Sequence, residues 1–144
     1  MFERTHMRLE LRNRLGDLAR LERGLARFAV EQRLAPRDLH SLNLVLDEIV
    51  TNLIEHGYDD DAEHVIEIRL ALADGELFVE VEDDGRPFDP LAASAPELGT
   101  APSERPIGGL GLLFVRRSVD AIEHRRVGER NLLRLRKRIA ARGR

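Results

Sequence analysis

The chain has 144 residues, 34% of them charged and 42% apolar, with a formal net charge of -3, the balance of one water-exposed domain large enough to enclose a core. It has no cysteine, which excludes disulfides, thiolate metal sites and cysteine nucleophiles. No apolar run approaches the ~18 residues of a membrane-spanning helix, and the charged start MFERTHMRLELR is unlike a signal peptide, so a cytoplasmic location and no membrane partner are expected.

Met7 to Arg12 alternate apolar and polar, which predicts a short strand with one wet face. Asn13 is placed to cap a helix, since Leu15, Leu18, Leu21, Leu25 and Phe28 trace an amphipathic one to about Leu34. Pro36 opens a second helix, where its missing N–H costs nothing. In that helix Leu39, Leu42, Leu46, Ile49, Leu53 and Ile54 form an apolar stripe. Glu48 and Asn52 stand one turn apart beside it, with His56 continuing the column. Such a pair suits a solvated surface, or a base next to a ligand for a hard cation. Gly57 comes next, where a left-handed cap is expected.

The run Asp59-Asp60-Asp61 lacks the spaced ligands and turn glycine of a calcium loop. From His64 the period becomes two. Ile66, Ile68, Leu70 and Leu72 oppose Glu67, Arg69 and Ala71, Asp74-Gly75 marks a hairpin turn, and Leu77, Val79 and Val81 return. Asp83 is next on the buried parity. A carboxylate there needs a donor, either from its own turn or from a ligand amine. Gly85 allows close backbone approach, and Pro87 and Pro90 stiffen the exit.

Leu91 to Ile107 shows no period and reads as a lid or a disordered connection. Gly108, Gly109 and Gly111 then open an apolar helix. They offer N–H groups to an anion, or a close hinge against a strand, and the Gly-Lys-Ser/Thr that a P-loop requires is missing. Ala121 to Val127 and Asn131 to Ile139 predict a final hairpin with Ile122, Leu133 and Leu135 inward, and Ala140 to Arg144 are expected to fray. The arginines of this basic end alternate with apolar residues, as on the wet face of a strand, so no direct nucleic-acid contact is expected. The three polar elements together suit a nucleotide: an amine at Asp83, phosphates at the glycines, a divalent ion at Asn52 and a base at Glu48.

Glu48-Ile49-Val50-Thr51-Asn52, Asp83-Asp84-Gly85 with Arg86-Pro87-Phe88-Asp89-Pro90, and Gly108-Gly109-Leu110-Gly111-Leu112 closely resemble the N, G1 and G2 boxes of the Bergerat-fold (GHKL-type) ATPases. Within that superfamily the chain resembles the anti-sigma-factor serine-protein kinases of bacterial partner switching, over nearly its whole length. The resemblance implies a Bergerat ATP-binding fold: an α/β (α+β) two-layer sandwich, with a mixed, mostly antiparallel sheet and helices on one face. It implies one domain over residues 1–144 with a lid at about 91–107. Implied cofactors are ATP, through Asp83, Gly85, Gly108, Gly109 and Gly111, and Mg²⁺ through Asn52. Glu48 matches the general base, and Arg105 matches a lid arginine found in some relatives. Implied partners are an anti-sigma-factor antagonist as phosphorylation substrate, a sigma factor or similar client, and a second copy in a homodimer. A catalytically silent switch acting by association is the alternative, and the ATPase part of a histidine kinase a more distant one.

Overall fold

The computed structural model describes residues 5–87 and 109–140. The expected lid, Gly108 and Arg105 therefore lie outside the described residues, as do the last four. The described residues form five strands: β1 (Met7–Arg12), β2 (Val65–Ala73), β3 (Glu76–Asp83), β4 (Ala121–Val127) and β5 (Arg130–Arg138). They make one sheet in the order β1-β2-β3-β5-β4, and all four pairings are antiparallel. Among the described residues there are three α-helices, α1 (Leu18–Gln32), α2 (Pro36–His56) and α3 (Gly109–Ser118), with a 3₁₀ turn at Leu15–Asp17 leading into α1.

Strand parity sorts the two faces of the sheet. Leu11, Ile66, Ile68, Leu70, Leu77, Val79, Val81, Leu133 and Leu135 share one buried cluster with Leu25 and Phe28 of α1, Leu46 and Val50 of α2 and Val115 of α3. The helices thus cover one face, as the alternation requires. The β2–β3 hairpin closes through Asp74 and Gly75, at φ 52 and 77, the left-handed pair that a two-residue turn demands.

The opposite face is polar and internally neutralised. Its register sets Glu67 directly across from Glu82, a like-charge pair that would repel. Arg69 resolves this by reaching Glu67 at 3.0 Å, Glu82 at 3.0 Å and Glu80 at 2.9 Å. Arg8 adds a second cation to Glu67, and Arg134 links Glu80 to Glu123.

At two places a long-range contact replaces what the local sequence leads one to expect. Asn13 caps no helix. Its Oδ1 accepts the His64 amide at 2.7 Å and its Nδ2 donates to the Ala62 carbonyl at 3.3 Å, so it pins the entry to β2. Buried Asp17 instead organises the first turn, accepting the Arg12 amide at 2.7 Å. At the other end, Ala140 is held rather than frayed: its amide donates to buried Asp38, at the start of α2, at 2.9 Å.

Candidate functional site

Helix α2 carries the first polar group of the site. Its Asn52 Nδ2 donates to the Glu48 carbonyl at 2.9 Å and, in a shorter contact, to Glu48 Oε2. Both side chains are partly exposed beside the buried stripe. With Nδ2 committed to Glu48, Asn52 retains its Oδ1 carbonyl oxygen, a hard ligand, and Glu48 retains a second carboxylate oxygen. His56 is the exposed last residue of the helix.

The C-terminal end of α2 is where the strand turn meets it. Gly57 has φ -84 and ψ -11, so the expected left-handed cap is not adopted. The need for glycine here comes from proximity instead. A Cβ on Gly57 would lie 2.6 Å from the Leu53 carbonyl oxygen, and one on Gly85 would lie 2.4 Å from the Gly57 carbonyl oxygen. That same oxygen accepts the Arg86 amide at 2.8 Å. Asn52 precedes Gly57 by five residues, about 7.5 Å along a helix axis, so one rigid element sets the spacing between the two halves of the site.

Asp83 is buried at the end of β3, 3% exposed, on the parity that the alternation predicts. Its Oδ2 accepts the Gly85 amide at 2.8 Å and the Asn131 Nδ2 at 3.1 Å. Burial pushes the carboxyl above its ordinary range, and the two donors from Asn131 and Gly85 oppose that rise. Both readings left open for Asp83 are therefore compatible: its own turn supplies one donor, and Oδ1 accepts neither of these bonds.

Asn131 and Arg126 were not legible as site residues. Asn131, 4% exposed, faces Asp83 across the β3–β5 register and also donates to the Arg86 carbonyl at 2.9 Å. Arg126 reaches from β4 to the Gly85 carbonyl at 2.8 Å and to Asn131 Oδ1 at 3.1 Å. The pairing register alone brings them together, and no short motif encodes it.

A second group braces the turn from the side of α2. His64 stacks on Tyr58 with ring centroids 4.4 Å apart. Its Nδ1 lies 3.0 Å from Asp84 Oδ1 and its Nε2 lies 2.7 Å from Asp60 Oδ1. Hydrogen bonding to Asp60 is the largest influence on the imidazole and raises its pKa; burial opposes this, and the nearby charge of Asp84 adds to the rise. The buried Tyr58 hydroxyl has no hydrogen-bond partner among the described residues, and burial, then the charges of Asp83 and Asp84, push its pKa up. Asp84 and Arg86, to which the sequence assigned no role, thus tie the turn to the segment after α2.

Gly109 begins α3 and Gly111 lies within its first turn. This helix packs against α2, with Val115 fully buried between them and the sheet. A separate cleft of about 470 Å³ opens between the end of β1 and the segment after α2, lined by Arg12, Asn13, Glu55, Tyr58 and Glu63. It contains neither Asn52 nor Asp83. Among the described residues no helix is long and apolar enough to cross a membrane.

The family model for the histidine kinase-like ATPase domain matches residues 11–137. An anti-sigma F factor of Clostridium perfringens is 31% identical over 116 residues, which cover 76% of this chain and 83% of that protein. The serine/threonine-protein kinase BtrW of Bordetella bronchiseptica is 27% identical over 102 residues, covering 71% of this chain and 72% of its own. A crystal structure of the RsbU and RsbW domains of a Mycobacterium tuberculosis protein superposes with a TM-score of 0.66 at 19% identity. The match spans 96% of this chain but only 34% of that one, and at this identity it speaks for the fold alone. The chain belongs to the histidine kinase-like ATPase domain family, among relatives of the anti-sigma-factor kinase type.

Proposed function

We propose that this chain is an ATP-dependent protein-serine/threonine kinase. In this reading it phosphorylates a small antagonist protein and, in the alternate state of the switch, sequesters a sigma factor or similar client. The observation that carries the reading is the hydrogen-bonded Glu48–Asn52 pair on the helix whose end is packed against the Asp83–Gly85 turn. The names of the relatives, an anti-sigma F factor and a serine/threonine-protein kinase, support the same assignment.

The residues present fit the nucleotide and cation that the family implies. Asp83 is a buried carboxylate with one oxygen saturated, suited to take an exocyclic amine on the other. The glycine–glycine contact leaves no side chain between the turn and the helix end. Asn52 Oδ1 is a hard oxygen ligand. The first N–H groups of α3, which lack intrahelical acceptors as in any helix, suit a phosphate. Bound Mg·ATP supplies the phosphoryl group and neutralises the charge that spreads over its oxygens during transfer.

Glu48 accepts the proton of the substrate hydroxyl while that oxygen bonds to the γ-phosphorus and the bond to the ADP oxygen breaks. Asn52 orients this base by donating to one of its oxygens, leaving the other for the hydroxyl. Asp83 and Gly85 fix the base end of the nucleotide, so transfer is a matter of positioning. The test is calorimetric titration of the chain with ATP and ADP, with and without Mg²⁺, and then transfer of labelled phosphate to an antagonist-type protein. Micromolar, Mg²⁺-dependent binding with serine labelling is expected. Binding without transfer would leave a module acting by association alone, and no binding of either nucleotide would overturn the reading.

A further inference from the structure

The carboxamide of Asn131 has only one workable orientation. Its Nδ2 faces two acceptors, Asp83 Oδ2 at 3.1 Å and the Arg86 carbonyl at 2.9 Å. Its Oδ1 faces the Arg126 guanidinium at 3.1 Å and lies 3.3 Å from His124 Nε2. A flipped amide would set its oxygen against a carboxylate and a carbonyl, and its NH₂ against a guanidinium, which has donors only. Arg126 also holds the Gly85 carbonyl at 2.8 Å, so the same cation that fixes the amide also fixes the turn.

We propose that Asn131 and Arg126 are positioning residues of the base pocket, which hold Asp83 as an acceptor-only carboxylate and thereby set a preference for 6-amino over 6-oxo purines. This rests on the nucleotide-binding reading of the site. The permanent donor on Oδ2 removes any need for a proton there, and the remaining oxygen of an ionised carboxylate accepts an amine and repels a carbonyl. A buried site built for one hydrogen-bonding pattern discriminates strongly, because the wrong ligand leaves polar groups unpaired.

Removal of the donor has a directional consequence. Burial already favours the protonated carboxyl, and Asn131 is the larger of the two hydrogen-bond donors that oppose it. Without Asn131, Asp83 gains a proton at higher pH and can then donate to a 6-oxo group. The other charged or titratable groups around it are Asp84 on its own turn, Arg126 on β4, Arg130 at the start of β5 and Tyr58 from the segment after α2. His64 and His124 stand behind Asp84 and Asn131.

The experiment uses the full chain and two probes, ADP and inosine diphosphate, titrated between pH 5.5 and 8.5. Wild type is expected to prefer ADP by on the order of 100-fold or more. Asn131→Leu, close in shape but without the amide, and Arg126→Gln are expected to shrink that ratio at least tenfold, with ADP binding weakening at a higher pH than in wild type. A wild-type chain that binds the two probes equally overturns the proposal while leaving nucleotide binding intact, and needs no variant. Variants that lose both probes in proportion, with the ratio and the pH profile unmoved, also overturn it, because that is the signature of a merely structural role. Failure of wild type to bind either probe overturns the nucleotide reading and this proposal together.

Discussion

Gly57 and Gly85 meet backbone to backbone: a Cβ on Gly85 would lie 2.4 Å from the Gly57 carbonyl oxygen and 2.9 Å from Asp83 Oδ2. The first neighbour is backbone, and the second is the end of a buried side chain held by the Gly85 amide and the Asn131 Nδ2, so neither swings away cheaply. The contact joins the end of α2 to the turn after β3, so the spacing between Asn52 and Asp83 depends on it. Gly85→Ala is therefore expected to force the turn off the helix and to cost about 1–3 kcal/mol, as overpacking does. Urea unfolding would measure that loss, and nucleotide titration would show weaker binding in the fraction that remains folded. Unchanged stability and affinity would mean that the turn can retreat freely.

In the proposed mechanism Glu48 accepts the proton, and Asn52, hydrogen-bonded to it, orients it. Glu48→Gln keeps the shape and a partner for Asn52 but removes the basic oxygen. Transfer to an antagonist protein should fall by about 10²- to 10⁴-fold, with nucleotide affinity within a few-fold of wild type. Robust phosphorylation by this variant, measured as labelled-phosphate transfer under single-turnover conditions, would remove Glu48 from the chemistry.

Much of this architecture was legible in the sequence because its signals are local and periodic. The alternation through β2 and β3 placed Asp83 on the inner face, and the structure buries it there. The α2 stripe placed Glu48 and Asn52 on one helical edge, and the two are hydrogen-bonded. The contacts that escaped notice depend on pairing between distant segments. Asn131 meets Asp83 only because β5 lies beside β3, 48 residues away in sequence. Arg126 reads as a surface arginine until the hairpin brings it to the Gly85 carbonyl. Asn13 looks like a helix cap, yet its side chain satisfies the backbone at Ala62 and His64 across the sheet edge. The half-buried His64 amide takes its acceptor from this side chain distant in sequence, so the carboxamide is engaged there rather than at the start of the local helix.

Asp17 anchors the join between β1 and α1. Its Oδ2 accepts the Arg12 amide at 2.7 Å and its Oδ1 the Arg14 guanidinium at 3.0 Å. The Arg12 amide, aided by Arg14, holds its pKa below the ordinary 3.8 against the effect of burial. A depressed carboxylate contributes stability that is present above 3.8 and is lost as pH falls through the folded value. Asp17→Asn should therefore cost about 1.5–3 kcal/mol near neutral pH, the range for hydrogen bonds to a charged group. The gap from wild type should narrow below about pH 4. Urea midpoints of both proteins at pH 7 and pH 3 check this, and an equal gap at both would show that the charge on Asp17 contributes nothing.

His64 behaves with the opposite sign. It lies between Asp60 and Asp84, at 2.7 Å and 3.0 Å, with its ring stacked on Tyr58. Hydrogen bonding to Asp60 is the main cause that raises its pKa above 6.5, and the same contact depresses Asp60. A raised imidazole contributes stability that is fully present below 6.5 and is lost as pH climbs through the folded value. On the acid side the contribution is lost again once Asp60 takes up its proton. His64→Phe keeps a ring against Tyr58 but removes the cation, so it isolates the ionic part. Wild type should exceed this variant most in urea midpoint near pH 5.5–6, and the difference should shrink steadily towards pH 9. Because Asp84 adjoins Asp83 in the same turn, nucleotide affinity is expected to show the same trend, with His64→Phe giving a flatter profile than wild type. A stability difference that does not change with pH would mean that the ring holds this corner by packing alone.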